Sequence, residues 1–443
     1  MKAVKLLMIT AVLVLSSNAN SSQKIPGQYI VEMNSDSVGA LSAMQAYGTV
    51  DPMGVSFGEY AVLKNVDSSK LEELKNHPMV KSIEPDYWVE LSATLEQDFY
   101  STEPDFEAPT DSRFADQWGL RNNGKFGSTN WSSGGLEGFD INILEAWKKE
   151  KGLNDIIVAV IDTGVNTRHP DFERMIHGNI WTNWPELGGL DGVDDDRNGY
   201  IDDFNGWDFV RNDNRADDGN GHGTHCAGVI GARHNGEGIA GIMSETSIMA
   251  LKFLDSWGRG SFSDAVKAID YAIKNNADVI SASWGGSRAP NALKKAIERA
   301  NEEGIVFVAA AGNSSNDAEK RPLYPAAFDL PNVISVAATN HEGKLASFSN
   351  YGANVHVAAP GRDILSTYKD GYKLLSGTSM ATPHVAGMVG LLLSSNVSYR
   401  YSLSPEEIRE RLIETSVPYD DIARSTLSGG QVEANRLLLD KRD

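Results

Sequence analysis

The residues best suited to chemistry lie in one run, Ser376-Gly377-Thr378-Ser379-Met380-Ala381-Thr382-Pro383-His384-Val385-Ala386-Gly387. Small residues crowd Ser379, and an apolar run over 388–393 follows it. The pattern predicts a tight turn entering a helix, with Ser379 at the helix start. The first N–H groups of a helix have no partner within it and form the positive end of its dipole. Such a place stabilises an oxyanion formed when a serine attacks a carbonyl. A lone serine before a buried helix would instead be an N-cap. A serine nucleophile needs a base, and the base needs an orienting group. Residues 158–165 end an apolar run in Asp162. A carboxylate there is costly unless hydrogen-bonded or paired, although alone it could serve a turn. Gly221-His222-Gly223-Thr224-His225-Cys226 opens an apolar helix with a histidine. Two histidines three apart also suit a metal. The zinc-protease pattern of two His four apart with a following Glu is absent.

These stretches resemble the nucleophile, histidine and aspartate segments of the subtilisin-like serine proteases. The similarity spans residues 114–438, and the motifs stand in the family's order, Asp…His…Ser. The resemblance implies that Ser379 is the nucleophile and that His222 takes its proton and returns it to the leaving group. Asp162 then holds the histidine tautomer and stabilises the imidazolium. Residues 306–313 read as a strand running into Asn313, whose family counterpart donates its amide to the oxyanion. Loss of that donor costs about 10²–10³ in kcat, a value known from the family. Ser283, Trp284, Gly285 and Gly286 resemble the segment lining the pocket for the side chain before the cut. Gly258 and Gly260 resemble the opposite edge, and Ala310 and Gly312 precede Asn313. Glycines there let a substrate pair as an added strand. Acidic residues at the positions of Ser314 and Leu323 favour basic side chains in the family. Neither is acidic here, so an apolar or aromatic residue before the cut is expected. His225 and His384 fall outside these roles. Cys226, placed as in the proteinase K branch, is read as structural, because buried thiols are mostly inert.

Residues 191–203 hold six carboxylates in thirteen positions, with Asp194, Asp196 and Asn198 alternating before Gly199 and Asp202. This is the opening of a calcium loop without its closing Glu. Crowded carboxylates repel one another unless a cation sits among them, and the alternative is a solvated acidic loop. The family resemblance adds a second calcium site at Asp171 and Asn235. A third family site is lost, since its acidic positions read Asn354 and His356.

The elements that must position these groups are legible as alternation. Apolar runs at 156–161, 248–254, 279–283, 305–310 and 333–336 read as buried strands, with helices at 262–274 and 291–301 between them. That pattern predicts an α/β fold with a parallel central sheet covered on both faces, in the three-layer arrangement of the resembled family. Chemistry then belongs at the carboxyl ends of the strands. Residues 24–91 read as a separate α+β unit, with strands near 29–33, 60–63 and 80–84. Its helices lie at 37–47 and from a Ser69-x-x-Glu72 capping box to Pro78. It resembles the family's ferredoxin-like inhibitory propeptide. Residues 92–113 carry scattered acids and prolines and read as a processing linker.

Lys2 and Lys5 precede a short apolar run at 6–15 and then Ser16-Ser17-Asn18-Ala19, which predicts a secretory signal over 1–19. The expected location is extracellular or periplasmic, with no membrane anchor. One cysteine in 443 residues excludes an internal disulfide, and a formal charge of −20 argues against a nucleic-acid binder, which needs a basic face. Asn130-Trp131-Ser132 and Asn396-Val397-Ser398 are glycosylation sequons, usable only in a eukaryotic secretory pathway. The reading is a monomeric, self-processed serine endopeptidase acting on polypeptides, with its own propeptide as inhibitor and no organic cofactor. Two rivals remain open. One is a catalytically dead relative acting as a binding protein. The other is an α/β-hydrolase esterase, which would need a Gly-x-Ser-x-Gly elbow and a different order of the three residues.

Overall fold

The computed structural model describes residues 23–439, except 35–37, 54–58, 92–93, 96–107, 126–133, 173–177, 397–399 and 401. The signal segment, most of the acidic linker and both sequons lie wholly or partly outside the described residues.

The first unit runs β1 (Lys24–Met33), α1 (Val38–Met44), β2 (Thr49–Pro52), β3 (Tyr60–Lys64), α2 (Leu71–Lys75) and β4 (Val80–Leu91). Its strands are antiparallel in the order β4-β1-β3-β2. The period-2 alternation of the strands sends side chains two ways. Val31, Met33, Ala61 and Leu63 pack on the unit's own helices, with Ala40, Met44 and Leu74. Ile30, Tyr60, Val62 and Val89 join a core that belongs mainly to the rest of the chain. The expected capping box at Ser69 is not what opens the second helix. A 3₁₀ turn, Ser68–Lys70, comes first, and Asp67 caps it by accepting from the Ser69 N–H. Strand β2 carries no sustained apolar alternation, and the sequence reading passed over it.

The main unit is built on a nine-stranded sheet. Its strands include β6 (Ile157–Asp162), β7 (Gly206–Asp208), β8 (Ser247–Lys252), β10 (Val279–Ala282), β12 (Val306–Ala310), β13 (Val333–Thr339) and β14 (Val357–Pro360). The short strands β17 (Val417–Pro418) and β18 (Gly430–Gln431) complete it in the order β17-β18-β14-β13-β12-β10-β6-β8-β7. All pairings are parallel except β17 with β18 at one edge. Between these lie β9 (Arg259–Ser261), β11 (Trp284–Gly285) and the hairpin β15 (Ile364–Tyr368) with β16 (Gly371–Ser376). A two-residue strand β5 (Thr94–Leu95) pairs with β16. The short helices α3 (Ile143–Trp147) and α4 (Trp184–Leu187) precede α5 (His222–Gly231), α6 (Phe262–Lys274), α7 (Asn291–Glu302) and α8 (Thr378–Ser395). Helices α9 (Pro405–Thr415) and α10 (Ala434–Leu438) close the fold.

Each central strand is apolar on both faces because both are covered. Val158 and Val160 of β6 face the core shared with α5 and α8, through Cys226, Ala227, Val385 and Val389. Ala159 and Ile161 face the core shared with α6 and α7, through Val266, Ile269, Leu293 and Ile297. Helix α6 starts where the sequence says, with Ser261 accepting from the Asp264 N–H as its cap. Helix α7 follows Pro290, which supplies no side-chain cap. Glu84 of the first unit does so instead, accepting from the Asn291 and Ala292 N–H groups, both at 3.1 Å. Asp86 likewise accepts from the Ser263 N–H and hydroxyl in the first turn of α6. Two carboxylates of the first unit thus sit at the positive ends of two helices of the main unit.

Candidate active site

Asp162 is the last residue of β6 and is 1% exposed. His222 is the first residue of α5. The preceding Gly221 has φ 110°, a left-handed turn in which a side chain would be strained, and a Cβ there would meet the Tyr368 ring at 2.5 Å. The turn delivers His222 Nδ1 to Asp162, 2.8 Å from Oδ1 and 3.0 Å from Oδ2. Burial alone would favour the neutral ring. The charge of Asp162 and its hydrogen bond outweigh burial, with a smaller part from Cys226, and lift His222 well above its ordinary value. Buried His225 and His384 and part-buried His234 go the opposite way: burial pushes His225 down to about 3 and the other two to about 4. His225 bonds the Ile364 and Lys373 carbonyls, and His384 bonds the Met380 carbonyl, so both are structural as expected. His222 Nε2 is buried and has no hydrogen-bond partner among the described residues. One ring nitrogen is therefore held, and the other is not.

Two groups absent from the sequence reading brace this pair. The Asp218 carboxylate accepts from the Thr163 hydroxyl, the Asn220 and Gly221 N–H groups, and both the N–H and hydroxyl of Thr224. It ties the residue after Asp162 to the first turn of α5, which has no side-chain N-cap of its own. Buried Lys252 donates to the Thr163 and Leu254 carbonyls at 2.7 and 2.6 Å.

Ser379 is the second residue of α8, as the turn-to-helix pattern predicts. Its hydroxyl donates to the Ser283 carbonyl at 3.0 Å, and the Ser283 hydroxyl donates back to the Ser379 carbonyl at 2.9 Å. That second bond has a cause in the sequence. Pro383 lacks the N–H that would bond the carbonyl four residues earlier, which is that of Ser379. The Cys226 thiol also donates to this carbonyl, at 3.5 Å, while lying 3.9 Å from His222 Nδ1. Burial raises the thiol's pKa, so Cys226 stays a neutral donor beneath Ser379 and His222.

Asn313 lies three residues beyond β12. Its side-chain oxygen accepts from the Thr378 N–H and hydroxyl, both at 2.9 Å. An amide held by its oxygen presents its NH₂ on the opposite side, beside the start of α8 where Ser379 sits.

The cleft is defined by what occupies it. The end of β4 lies antiparallel between β9 and β11, with Trp88 opposite Ser261, Val89 opposite Gly260, Glu90 opposite both Arg259 and Gly285, and Leu91 opposite Trp284. Gly258 accepts from the Leu91 N–H at 3.3 Å, and a Cβ on Gly258 would meet the Leu91 side chain at 2.6 Å. The expected segments 258–260 and 283–286 are therefore brought to one groove. The Trp284 ring does not line it: the residue is fully buried and its indole N–H bonds the Ile161 carbonyl. Leu323 packs where Cβ atoms on Gly285 and Gly312 would go, at 2.7 and 2.9 Å, so it forms an apolar wall. Ala310, the last residue of β12, is fully buried in the sheet.

The acidic loop is rearranged relative to the expected ligand set. Carboxylate oxygens of Glu186, Asp196 and Asp203 lie within 4.8 Å of one another. Asp194 instead accepts from the Asn198 and Gly199 N–H groups, and Asp202 from that of Gly192. Asn198 donates its amide to Asp196 and Asp203, between the two carboxylates. Burial pushes Asp203 up to about 6. At the second expected site, Asp171 is fully buried, accepts from Tyr372 and the Ile239 N–H, and is pushed up to about 6 by burial. The Asn235 side-chain oxygen accepts from the Glu237 N–H. The sequence reading missed Asp111, which it left in the linker. Its Oδ1 accepts from the Asn235 and Gly236 N–H groups, and its Oδ2 is buried without a partner. An orphaned carboxylate oxygen beside Asp171 and Asn235 fits a bound cation.

Comparison with known proteins agrees with this geometry. The subtilase family model matches residues 153–436. Thermitase of Thermoactinomyces vulgaris is 42% identical over 260 residues, 58% of this chain and 81% of its own. A thermostable alkaline protease of Halalkalibacterium halodurans is 31% identical over 409 residues, 92% of this chain and 91% of its own. The solved structure of fervidolysin from Fervidobacterium pennivorans matches with a TM-score of 0.71 at 24% identity, over 95% of this chain and 61% of that longer one, and shows the fold. The chain belongs to the subtilase family and is a serine endopeptidase.

The oxygen of Asn313 is aimed by Thr378, so Thr378→Val should loosen the amide while the Thr378 N–H still holds it partly. The expected outcome is kcat lower by about tenfold, a fraction of what losing an oxyanion donor costs, with KM unchanged. Steady-state kinetics on a peptide substrate check it.

Proposed function

We propose that Asp162, His222 and Ser379 hydrolyse polypeptides through an acyl-enzyme, in a secreted protein made as a self-processed zymogen. The observation that carries this is the buried Asp162–His222 pair, one ring nitrogen held and the other unpartnered among the described residues, at the start of the helix whose Cys226 bonds the Ser379 carbonyl. His222 Nε2 takes the Ser379 proton as the hydroxyl attacks the substrate carbonyl, and the raised basicity of the ring favours the transfer. The oxyanion is met by the Ser379 N–H region of α8 and the Asn313 amide. His222 then gives its proton to the leaving amine, and water repeats the sequence on the ester. Apo geometry leaves Ser379 on the Ser283 carbonyl, so attack requires its hydroxyl to turn toward His222. A labelled organophosphorus probe should modify the wild type at Ser379 only. Ser379→Ala should fold, resist the probe and remain a full-length precursor. A Ser379→Ala chain that still matures in purified form would sink the assignment and favour a binding role.

The residues before 92 are read as an inhibitory propeptide, because β4 fills the groove as a substrate would. The pocket wall at Leu323 and the uncharged Ser314 support cleavage after large apolar or aromatic residues, since an unpaired cation there would be strongly disfavoured. A peptide-library profile dominated by Lys or Arg before the cut would contradict this.

Calcium is proposed as a structural ion at two places. Asp111, Asp171 and Asn235 would hold one, and Asp196 with Glu186 and Asp203 the other, with Asn198 turning its oxygen inward. Asp194 and Asp202 would brace the second loop rather than bind. Asp171 and Asp203 have folded values near 6, above the roughly 3.9 of an unfolded Asp. Their protons are held more tightly in the folded state, so the metal-free fold loses stability as pH rises from about 4 through 6. A cation removes that loss. Calcium should therefore raise Tm little near pH about 4 and fully above about 7, by up to roughly 2.7 kcal/mol at a hundredfold excess over Kd. Melting curves with calcium and with chelator at both pH values test this. Asp111→Ala and Asp196→Ala, made separately, should each remove part of the effect.

A further inference from the structure

We infer that Arg259 selects an acidic side chain at the third substrate position before the cut, the place that Glu90 fills in this chain. The inference rests on the reading that β4 lies in the groove as a substrate does.

Pairing fixes which side chains meet. Strand β4 runs antiparallel between β9 and β11, with Glu90 opposite both Arg259 and Gly285. The Leu91 N–H bonds the Gly258 carbonyl. Hydrogen-bonded and non-hydrogen-bonded pairs alternate along an antiparallel ladder. Leu91 with Gly258 is of the first kind, so Glu90 with Arg259 is of the second. In that kind the Cα atoms come within about 4.5 Å and the side chains stand closest. Burial then settles the face. Val89 and Leu91 pack into the core of the main unit, so Glu90 between them points outward. Arg259 is exposed, while Gly260 beside it is buried. Both charged side chains therefore rise from the outer face. On the other edge the opposing residue is a glycine, so the arginine is the only side chain directly across from this place.

The guanidinium is lightly held. It lies 3.9 Å from the Asp255 carboxylate, too far for a hydrogen bond. The nearer duty of Asp255 is to its own turn, where one oxygen accepts from the Trp257 and Arg259 N–H groups. Arg259 can thus swing onto a strand laid beside it. The other arginine at the groove, Arg288, stands over the Tyr87 ring at 5.7 Å and serves a place further up the strand. A substrate in the register of β4 brings the residue after Leu91's place opposite Ser283, whose carbonyl holds the Ser379 hydroxyl at 3.0 Å. That residue carries the attacked carbonyl, and counting back from it puts Glu90's place third. Opposite charges facing each other across a ladder favour pairing by roughly twofold to fivefold, and like charges oppose it. The pair is exposed, so salt screens it.

The experiment compares kcat/KM for peptide substrates identical except for Glu or Lys at the third position, in the active enzyme. The expected Glu-to-Lys ratio is about two to five at low salt. It should fall toward one in about 1 M sodium chloride, where the screening length is about 3 Å. In Arg259→Ala the ratio should drop to one or below, because Asp255 is left without its cation. Arg259→Lys should keep it above one. Each ratio is internal to one preparation, so any loss of folded protein cancels. A wild-type ratio of one or less, or a ratio unchanged in Arg259→Ala, overturns the inference. The peptide Asp86–Leu91, added as a competitor, separates that failure from failure of the groove reading. If it does not compete with substrate, the groove reading falls and the inference with it. If it competes and its Glu90→Lys form competes equally, the groove reading stands and the inference falls. Weaker competition by the Glu90→Lys form, in the wild type but not in Arg259→Ala, supports both.

Discussion

Everything in the main unit serves one hydrogen bond, that between His222 Nδ1 and Asp162. A carboxylate and an imidazole are both taken almost wholly out of water to make it. Buried charges survive only when paired and hydrogen-bonded, so the backbone around them has to be rigid before the pair can form. A parallel sheet covered on both faces supplies that rigidity at the end of β6. The helix start at His222 cannot be capped by its own glycine, and Asp218 does the work from the loop. Its five accepted hydrogen bonds join the strand end and the helix start into one piece. Lys252, in register with Asp162 on the neighbouring strand, holds the carbonyl of the next residue.

Ser379 is fixed by a different device. Pro383 withholds one hydrogen bond from α8, and the freed carbonyl belongs to Ser379. Ser283 and Cys226 collect that carbonyl from two separate elements, β10's end and α5. The apparent defect in the helix is thus what lets the Ser379 backbone be held from outside the helix. Cys226, read from sequence as structural, links the Ser379 carbonyl to the helix that carries His222.

Much of this was legible in the sequence, for physical reasons that differ by region. The central strands and helices α6 and α7 announced themselves through apolar runs alternating with helical patterns. The three catalytic segments were legible because small residues crowd polar ones in fixed order. The short strands β7, β14, β17 and β18 were not, because each has too few residues to show a period. Asp111 was misread as linker because its role depends on packing against the loop at 235–236, more than a hundred residues away. The loop at 191–203 was legible as acidic but not in detail, since which carboxylates converge is decided by Glu186 and the N–H groups it gathers from Asp195, Asp196 and Asp202. The reach of β4 was underestimated: its last residues have no partner in their own unit and become a strand only against β9 and β11.

The divided loyalty of the first unit's sheet has a consequence for stability as well as for geometry. One face builds the unit's own small core, and the other, with Ile30, Tyr60, Val62 and Val89, finishes a core that the main unit owns. Glu84 and Asp86 are likewise spent on helices that are not its own. A domain this small has little apolar surface to spare, so a sheet stripped of half its burial is close to the limit of independent stability. While the two parts stay together, both cores are complete. Taken alone, the smaller part would keep only the core on its helix-covered face and would hold its shape less well than the larger one. The same alternation of side chains that joins the two parts therefore makes the smaller one the dependent partner.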